Sequence, residues 1–270
     1  MDRSITILLD VFILLSLIPF TIYLKKLCYN RNRCINKYFF LLLIFAILAS
    51  LSFKNISYGF IGIFFSVLGR RLCIPAITGG IGAGKTTLGK FLNLQGFYVI
   101  DSDSIGRQFL VPGTVGYRNL VRSFGEIILK DDGQIDKAVL REIVYNDKSK
   151  LNMLNKCLHT HIIYKIVWEV VKYKILKWKE LLVIEVPLLY ETHLSWVCAP
   201  IIVCSASEET RLQRCQTRNS EISKDIYINI MKSQTPYDKL LDWGDVIIEN
   251  ESTLEDYYKS AQVLMEEFLL

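Results

Sequence analysis

Eight consecutive residues, Gly79-Gly80-Ile81-Gly82-Ala83-Gly84-Lys85-Thr86, fit the pattern G-x-x-x-x-G-K-[ST], and few strings of that length restrict a fold as strongly. An apolar run, 73–78 (CIPAIT), leads into them, and a helical stretch, 85–95, follows. Strand, glycine-rich loop and helix in that order make a phosphate nest. The glycines let successive backbone N–H groups turn inward, and the helix N-terminus adds partial positive charge. Gly80, Ile81, Gly82, Ala83, Gly84 and Thr87 are therefore expected to surround a triphosphate. Lys85 is expected at its β- and γ-phosphates, and the Thr86 hydroxyl on Mg2+.

From Cys73 onward, short apolar runs alternate with longer amphipathic ones, the pattern of βα units around a mostly parallel sheet. Strands are expected at 73–78, 97–101, 181–186, 200–204 and 245–248. Helices are expected at 85–95, 103–110, 116–125, 137–145, 149–178, 207–216, 222–232 and 252–268. The fold class is thus α/β, a P-loop NTPase-type parallel five-stranded sheet flanked by helices. The 270 residues hold one such core plus an appendage.

The appendage is residues 1–72. It contains the dense apolar runs 5–24 and 38–53, with 56–68 following Lys54 and Asn55, and no acidic residue occurs from Val11 to Ile100. A bilayer core needs about 20 apolar helical residues, which the first run supplies and the second supplies only if it extends through the third. Two readings stand. Residues 5–68 form a hydrophobic helical anchor in a membrane, or the segment is an organelle-targeting sequence, plastid-like or mitochondrial, that is processed.

Charge separates the two parts as well. The formal net charge is +5, yet residues 1–76 hold nine Lys and Arg against Asp2 and Asp10, so the remainder is close to neutral. A nucleic-acid partner, which calls for a basic face, is not expected. The seven cysteines are scattered, without a Cys-x-x-Cys pair, and point to neither a disulfide framework nor a zinc site.

The strand after the loop helix ends in Asp101-Ser102-Asp103, which sets two carboxylates at a C-terminal strand edge beside the phosphates. One can take a proton from an attacking hydroxyl, and either can instead cap the helix that follows. The Asn-Lys-x-Asp string of guanine-binding proteins is missing from the sequence. Arg211, Arg214 and Arg218 recur at helical spacing, which fits arginines closing over a nucleotide or a solvated basic face.

Taken together, Ile77 to Leu270 resembles dephospho-coenzyme A kinase. The resemblance rests on Ile77 to Thr87, Val99-Ile100-Asp101-Ser102-Asp103, Arg107, Val111-Pro112-Gly113-Thr114, Leu140 to Val144, Leu158-His159, Val186 to Glu191, Gln234 and Asp245 to Asn250. It departs at Thr160, where the family commonly has Pro, and at Asn219, where it commonly has Asp. The resemblance implies transfer of the γ-phosphoryl group of ATP to the ribose 3′-hydroxyl of dephospho-coenzyme A, with Mg2+. It implies Asp103 as the base, Asn250 at the nucleotide base, and Asp101, Arg107, Arg141 and His159 toward the acceptor. Residues 115–178 would form the acceptor-binding region and 207–233 a lid, leaving either Arg214 or Arg218 on the transferred phosphate. Two alternatives stay open: another nucleoside or small-metabolite kinase of this fold, and a membrane-tethered nucleotide-binding module without transfer activity.

Overall fold

The computed structural model describes residues 74–177, 181–192, 194–220 and 222–269. The expected membrane or targeting region lies outside the described residues. Among the described residues no helix is long and apolar enough to cross a membrane.

Five parallel strands form one sheet in the order β2-β3-β1-β4-β5, where β1 is Ile74–Gly79, β2 Tyr98–Asp101, β3 Leu182–Glu185, β4 Cys198–Ser205 and β5 Val246–Glu249. The central strands are buried on both faces, so they read as continuous apolar runs rather than alternating ones. Period-two geometry then sorts their side chains. Ala76, Ile184, Ile201 and Val203 meet Ile100 and, from the helices, Ile166 and Leu240 on one face. Ile77, Val183, Ile202 and Cys204 meet Leu88, Leu92, Tyr257, Ala261 and Leu264 on the other. Each fully buried Leu or Ile contributes about 1.5–3 kcal/mol relative to exposure, so these two layers hold the sheet in register.

The helices are α1 (Lys85–Leu94), α2 (Ser102–Gln108), α3 (Val115–Phe124), α4 (Lys137–Asn146), α5 (Lys148–Val171), α6 (Glu208–Arg218), α7 (Lys224–Ser233), α8 (Tyr237–Trp243) and α9 (Leu254–Phe268). Helices α3 to α5 enclose a small core of their own, with Leu120, Ile128, Leu140 and Val144 buried. Helices α6 and α7 are pinned together by Cys215, Tyr227 and Ile230.

Three expectations are amended. The long helix ends at Val171 and passes into a π-helical turn, Lys172–Leu176, in which the Lys177 N–H bonds the Lys172 carbonyl. Strand β4 starts at Cys198, and its register with β1 shifts between the pairs Ile74–Cys198 and Ala76–Ile201, an interval that contains Pro200, a residue with no N–H for the ladder. Helix α8 was not expected from the sequence; it is short, with Pro236 at its N-cap and Leu240 buried on the sheet.

Candidate active site

Caps show which helix end is kept for a ligand. Thr114, Asp136, Asp147, Ser207, Ser223 and Thr253 each accept N–H groups at the start of the helix that follows. Such caps contribute about 1 kcal/mol apiece. Two helices have none: the short α8 carries Asp238 in its first turn, whereas α1 has Gly84 at its N-cap, at φ +104°, and no acid in its first turn. Its free N–H groups face the loop that β1 delivers, an anion site in the making. Only glycine serves at position 84. Beyond the left-handed backbone, a Cβ there would lie 2.1 Å from Asn250 Nδ2.

Parallel strands bring their C-terminal ends to one edge, and Asp101 of β2 is in register with Glu185 of β3. Lys85 is 8% exposed. Its ammonium donates to the carbonyls of Gly79 at 2.8 Å and Gly80 at 2.9 Å, and burial lowers its pKa. Thr86 donates its hydroxyl to Glu185 Oε1 at 2.8 Å. Glu185 is only 3% exposed, and burial raises its pKa against the opposing effects of the Thr86 hydrogen bond and Lys85. Helix α1 covers this carboxylate closely at Gly89, where a Cβ would stand 2.9 Å from Oε2.

Asp103 occupies the first turn of α2, and the two carboxylates of the pair have separate tasks. Asp101 caps α2, accepting from the N–H groups of Asp103 at 2.9 Å and Ser104 at 3.1 Å, and pairs with Arg107 at 3.4 Å. Asp103 instead lines the cleft. Desolvation raises its pKa, opposed chiefly by Lys85, while Asp101 adds to the rise. A carboxylate so placed is a stronger base than an exposed one.

Two cavities meet at this point. The smaller, about 430 Å³, is lined by the loop, Thr86, Thr87, Arg214, Arg218 and Asn250. The larger, about 1070 Å³, runs between α5 and α7 and includes Tyr145, His159, Glu191 and Gln234 in its walls. Ile81, Lys85 and Asp103 belong to both linings. Each volume is of ligand size.

The loop is also held from behind. Asn250 donates from Nδ2 to the Ala83 carbonyl at 3.0 Å and accepts from Arg214 at 3.3 Å. Gln234 accepts the Ile81 N–H at 3.0 Å. Arg211 is buried, with its guanidinium over the Tyr237 ring at 4.4 Å.

Of the residues expected toward the acceptor, His159 lies in the larger cavity, and burial lowers its pKa. Asp101, Arg107 and Arg141 line neither cavity. The first two are engaged with each other, and Arg141 sits near the phenols of Tyr145 and Tyr227. Glu185 was missed. Its signal was a lone charge ending an otherwise apolar strand, beside the P-loop strand in the sheet.

A P-loop on a parallel sheet, joined through one lysine and one carboxylate to a second cavity, defines the class of nucleotide-dependent small-molecule phosphotransferases. The pattern that defines dephospho-CoA kinase matches residues 73–256. Similar proteins include the dephospho-CoA kinase of Arabidopsis thaliana, 32% identical over 71% of this chain and 82% of the relative. That of Carboxydothermus hydrogenoformans is 32% identical over 73% of this chain and 95% of the relative. Among solved structures, dephospho-CoA kinase from Campylobacter jejuni is 25% identical, with a TM-score of 0.52, over 71% of this chain and 94% of that one. The chain belongs to the dephospho-CoA kinase family.

Proposed function

We propose that the chain transfers the γ-phosphoryl group of ATP to the ribose 3′-hydroxyl of dephospho-coenzyme A, giving coenzyme A and ADP. The observation that carries this reading beyond family membership is the meeting of two ligand-sized cavities at Lys85 and Asp103. Phosphoryl transfer demands donor and acceptor in line at one point, with little other covalent work for the protein.

ATP occupies the smaller cavity, its phosphates on the N–H groups of the loop and α1. Asp103 accepts the proton of the attacking hydroxyl, and its raised pKa suits that task. Lys85 holds the β- and γ-phosphates. Arg214 is tied to Asn250 and so supports the nucleotide side. Arg218 also lines the donor cavity and acts electrostatically on both Lys85 and Asp103, which favours it for the transferred phosphate. Arg107 and Arg141 assist the acceptor through Asp101 and Tyr145 rather than by lining its cavity.

Mg2+ is the divalent ion that suits the donor set. Among the described residues no cluster of three or more His, Cys, Asp and Glu could hold a metal, whereas Thr86 and Glu185 offer adjacent hard oxygens. Mg2+ characteristically uses one or two such protein oxygens plus substrate phosphates. Thr86 and Glu185 would hold it, and with ATP bound it would supply charge neutralisation to the phosphates.

The apolar composition of residues 5–68 supports membrane association through an anchor, or a processed targeting sequence in its place. Sequencing the N-terminus of the mature protein separates them: an intact start fits the anchor, and a start near residue 70 fits processing. The catalytic reading is tested by supplying the purified chain with ATP, Mg2+ and one acceptor at a time. Coenzyme A and ADP should form from dephospho-coenzyme A. Turnover confined to a nucleoside monophosphate or shikimate would overturn the assignment.

A further inference from the structure

We propose that Lys156 of α5 and Lys232 of α7 form a diphosphate subsite in the larger cavity, reading the acceptor's 5′-diphosphate from two helices of its lining. The proposal rests on the acceptor reading above. With the 3′-hydroxyl at Asp103 and the donor in the smaller cavity, the rest of the acceptor extends into the larger one. There its 5′-diphosphate brings negative charge that must be matched.

The available cations are few. Among the described residues, Lys85, Lys156 and Lys232 are the lysines lining this cavity, and no arginine lines it. Lys85 is held at the loop by the Gly79 and Gly80 carbonyls, on the donor's side. His159 is pushed toward its neutral form by burial, so it offers a hydrogen bond rather than a full charge. Lys156 and Lys232 remain, and neither forms an ion pair with a described carboxylate. Glu191, the acid nearest in the chain to Pro187 and Leu188 in the same lining, is engaged by the Thr235 N–H at 3.2 Å and by the Thr235 hydroxyl.

Two exposed ammonium groups without a described carboxylate partner, carried by different helices of one lining, can be bridged by a single anion. Charge-assisted contacts of this kind contribute about 1.5–3 kcal/mol each. Adenosine, which has the hydroxyl and base but no phosphate, gains nothing from them. The lysines therefore set the preference among acceptors that share an adenosine.

Initial rates of the full chain with dephospho-coenzyme A and with adenosine test this. Lys156→Ala and Lys232→Ala are each expected to raise KM for dephospho-coenzyme A by about 10- to 100-fold. KM for ATP and the adenosine rate should stay as in the wild type, and Lys→Arg at either position should restore most of the loss. Unchanged KM in both alanine variants, with the wild type active, overturns the subsite alone. Equal losses on adenosine also overturn it, since they mark a structural role. A wild-type chain inactive on dephospho-coenzyme A overturns the acceptor reading and the subsite with it.

Discussion

The hydroxyl of Thr86 donates to the buried carboxylate of Glu185 at 2.8 Å, across 99 residues of chain. This joins the end of the P-loop to the end of the neighbouring strand. Burial disfavours the charge on Glu185 and places its folded pKa above the ordinary glutamate value.

The sign of that shift gives the first prediction. An acid whose pKa is raised on folding binds its proton more tightly in the folded state, so stability falls as pH rises from the unfolded pKa through the folded one. Glu185→Gln imitates the protonated form and keeps an oxygen for Thr86. At neutral pH its Tm should rise, by about 2–4 °C for each kcal/mol relieved, and the difference should shrink below the ordinary glutamate pKa. Its Mg2+-dependent kcat should fall on the order of 10²-fold. Calorimetry across pH, paired with turnover assays, checks both; a lower Tm at neutral pH would contradict the argument.

Asp103→Asn should lower kcat by about 10²- to 10⁴-fold, the usual contribution of a positioned base, with ATP affinity close to wild type. The acid limb of the kcat/KM profile should lie above the ordinary aspartate range, in the direction of the Asp103 shift. Wild-type kcat in the variant would remove Asp103 from the chemistry.

Arg214 and Arg218 should separate kinetically. Arg214→Ala frees the Asn250 amide oxygen and should raise KM for ATP. Arg218→Ala should act mainly on kcat, since an arginine on a transferring phosphoryl group is felt in the transition state. Steady-state measurements on both variants decide the assignment, and the reverse pattern would exchange the roles.

Gly84→Ala should both destabilise the fold and weaken nucleotide binding. A Cβ meets Asn250 Nδ2, and the left-handed backbone alone costs about 1–3 kcal/mol. Asn250→Ala removes the collision but leaves the backbone strain, so the double variant should recover only part of the loss in thermal denaturation.

What could be read beforehand followed from how locally each feature is encoded. The P-loop is a contiguous string flanked by its strand and helix, so Lys85, Thr86 and their fold class were legible together. From the residues alone Asp103 was one of two candidates; the resemblance singled it out as the base, and the cap made by Asp101 supplies the physical reason, which only the fold reveals. Glu185 showed in the sequence only as a lone charge ending an apolar run, because its meaning depends on Thr86 at the start of α1, a neighbour in space and not in the chain. Asn250 was expected at the nucleotide base, yet its amide also holds the Ala83 carbonyl and Arg214, a tertiary relationship without local pattern. Helix α8 was hidden by its length, seven residues after a proline.

The direction of β1 has an architectural consequence. The strand runs toward the loop, so Ile74 begins at the rear of the sheet, and every described residue lining either cavity comes from position 81 onward. Whatever precedes the domain is fastened like a leash at the pole away from the catalytic edge. The described walls of the reaction chamber all belong to the domain itself, so the preceding residues can be exchanged for another address without a substitution in any of those walls.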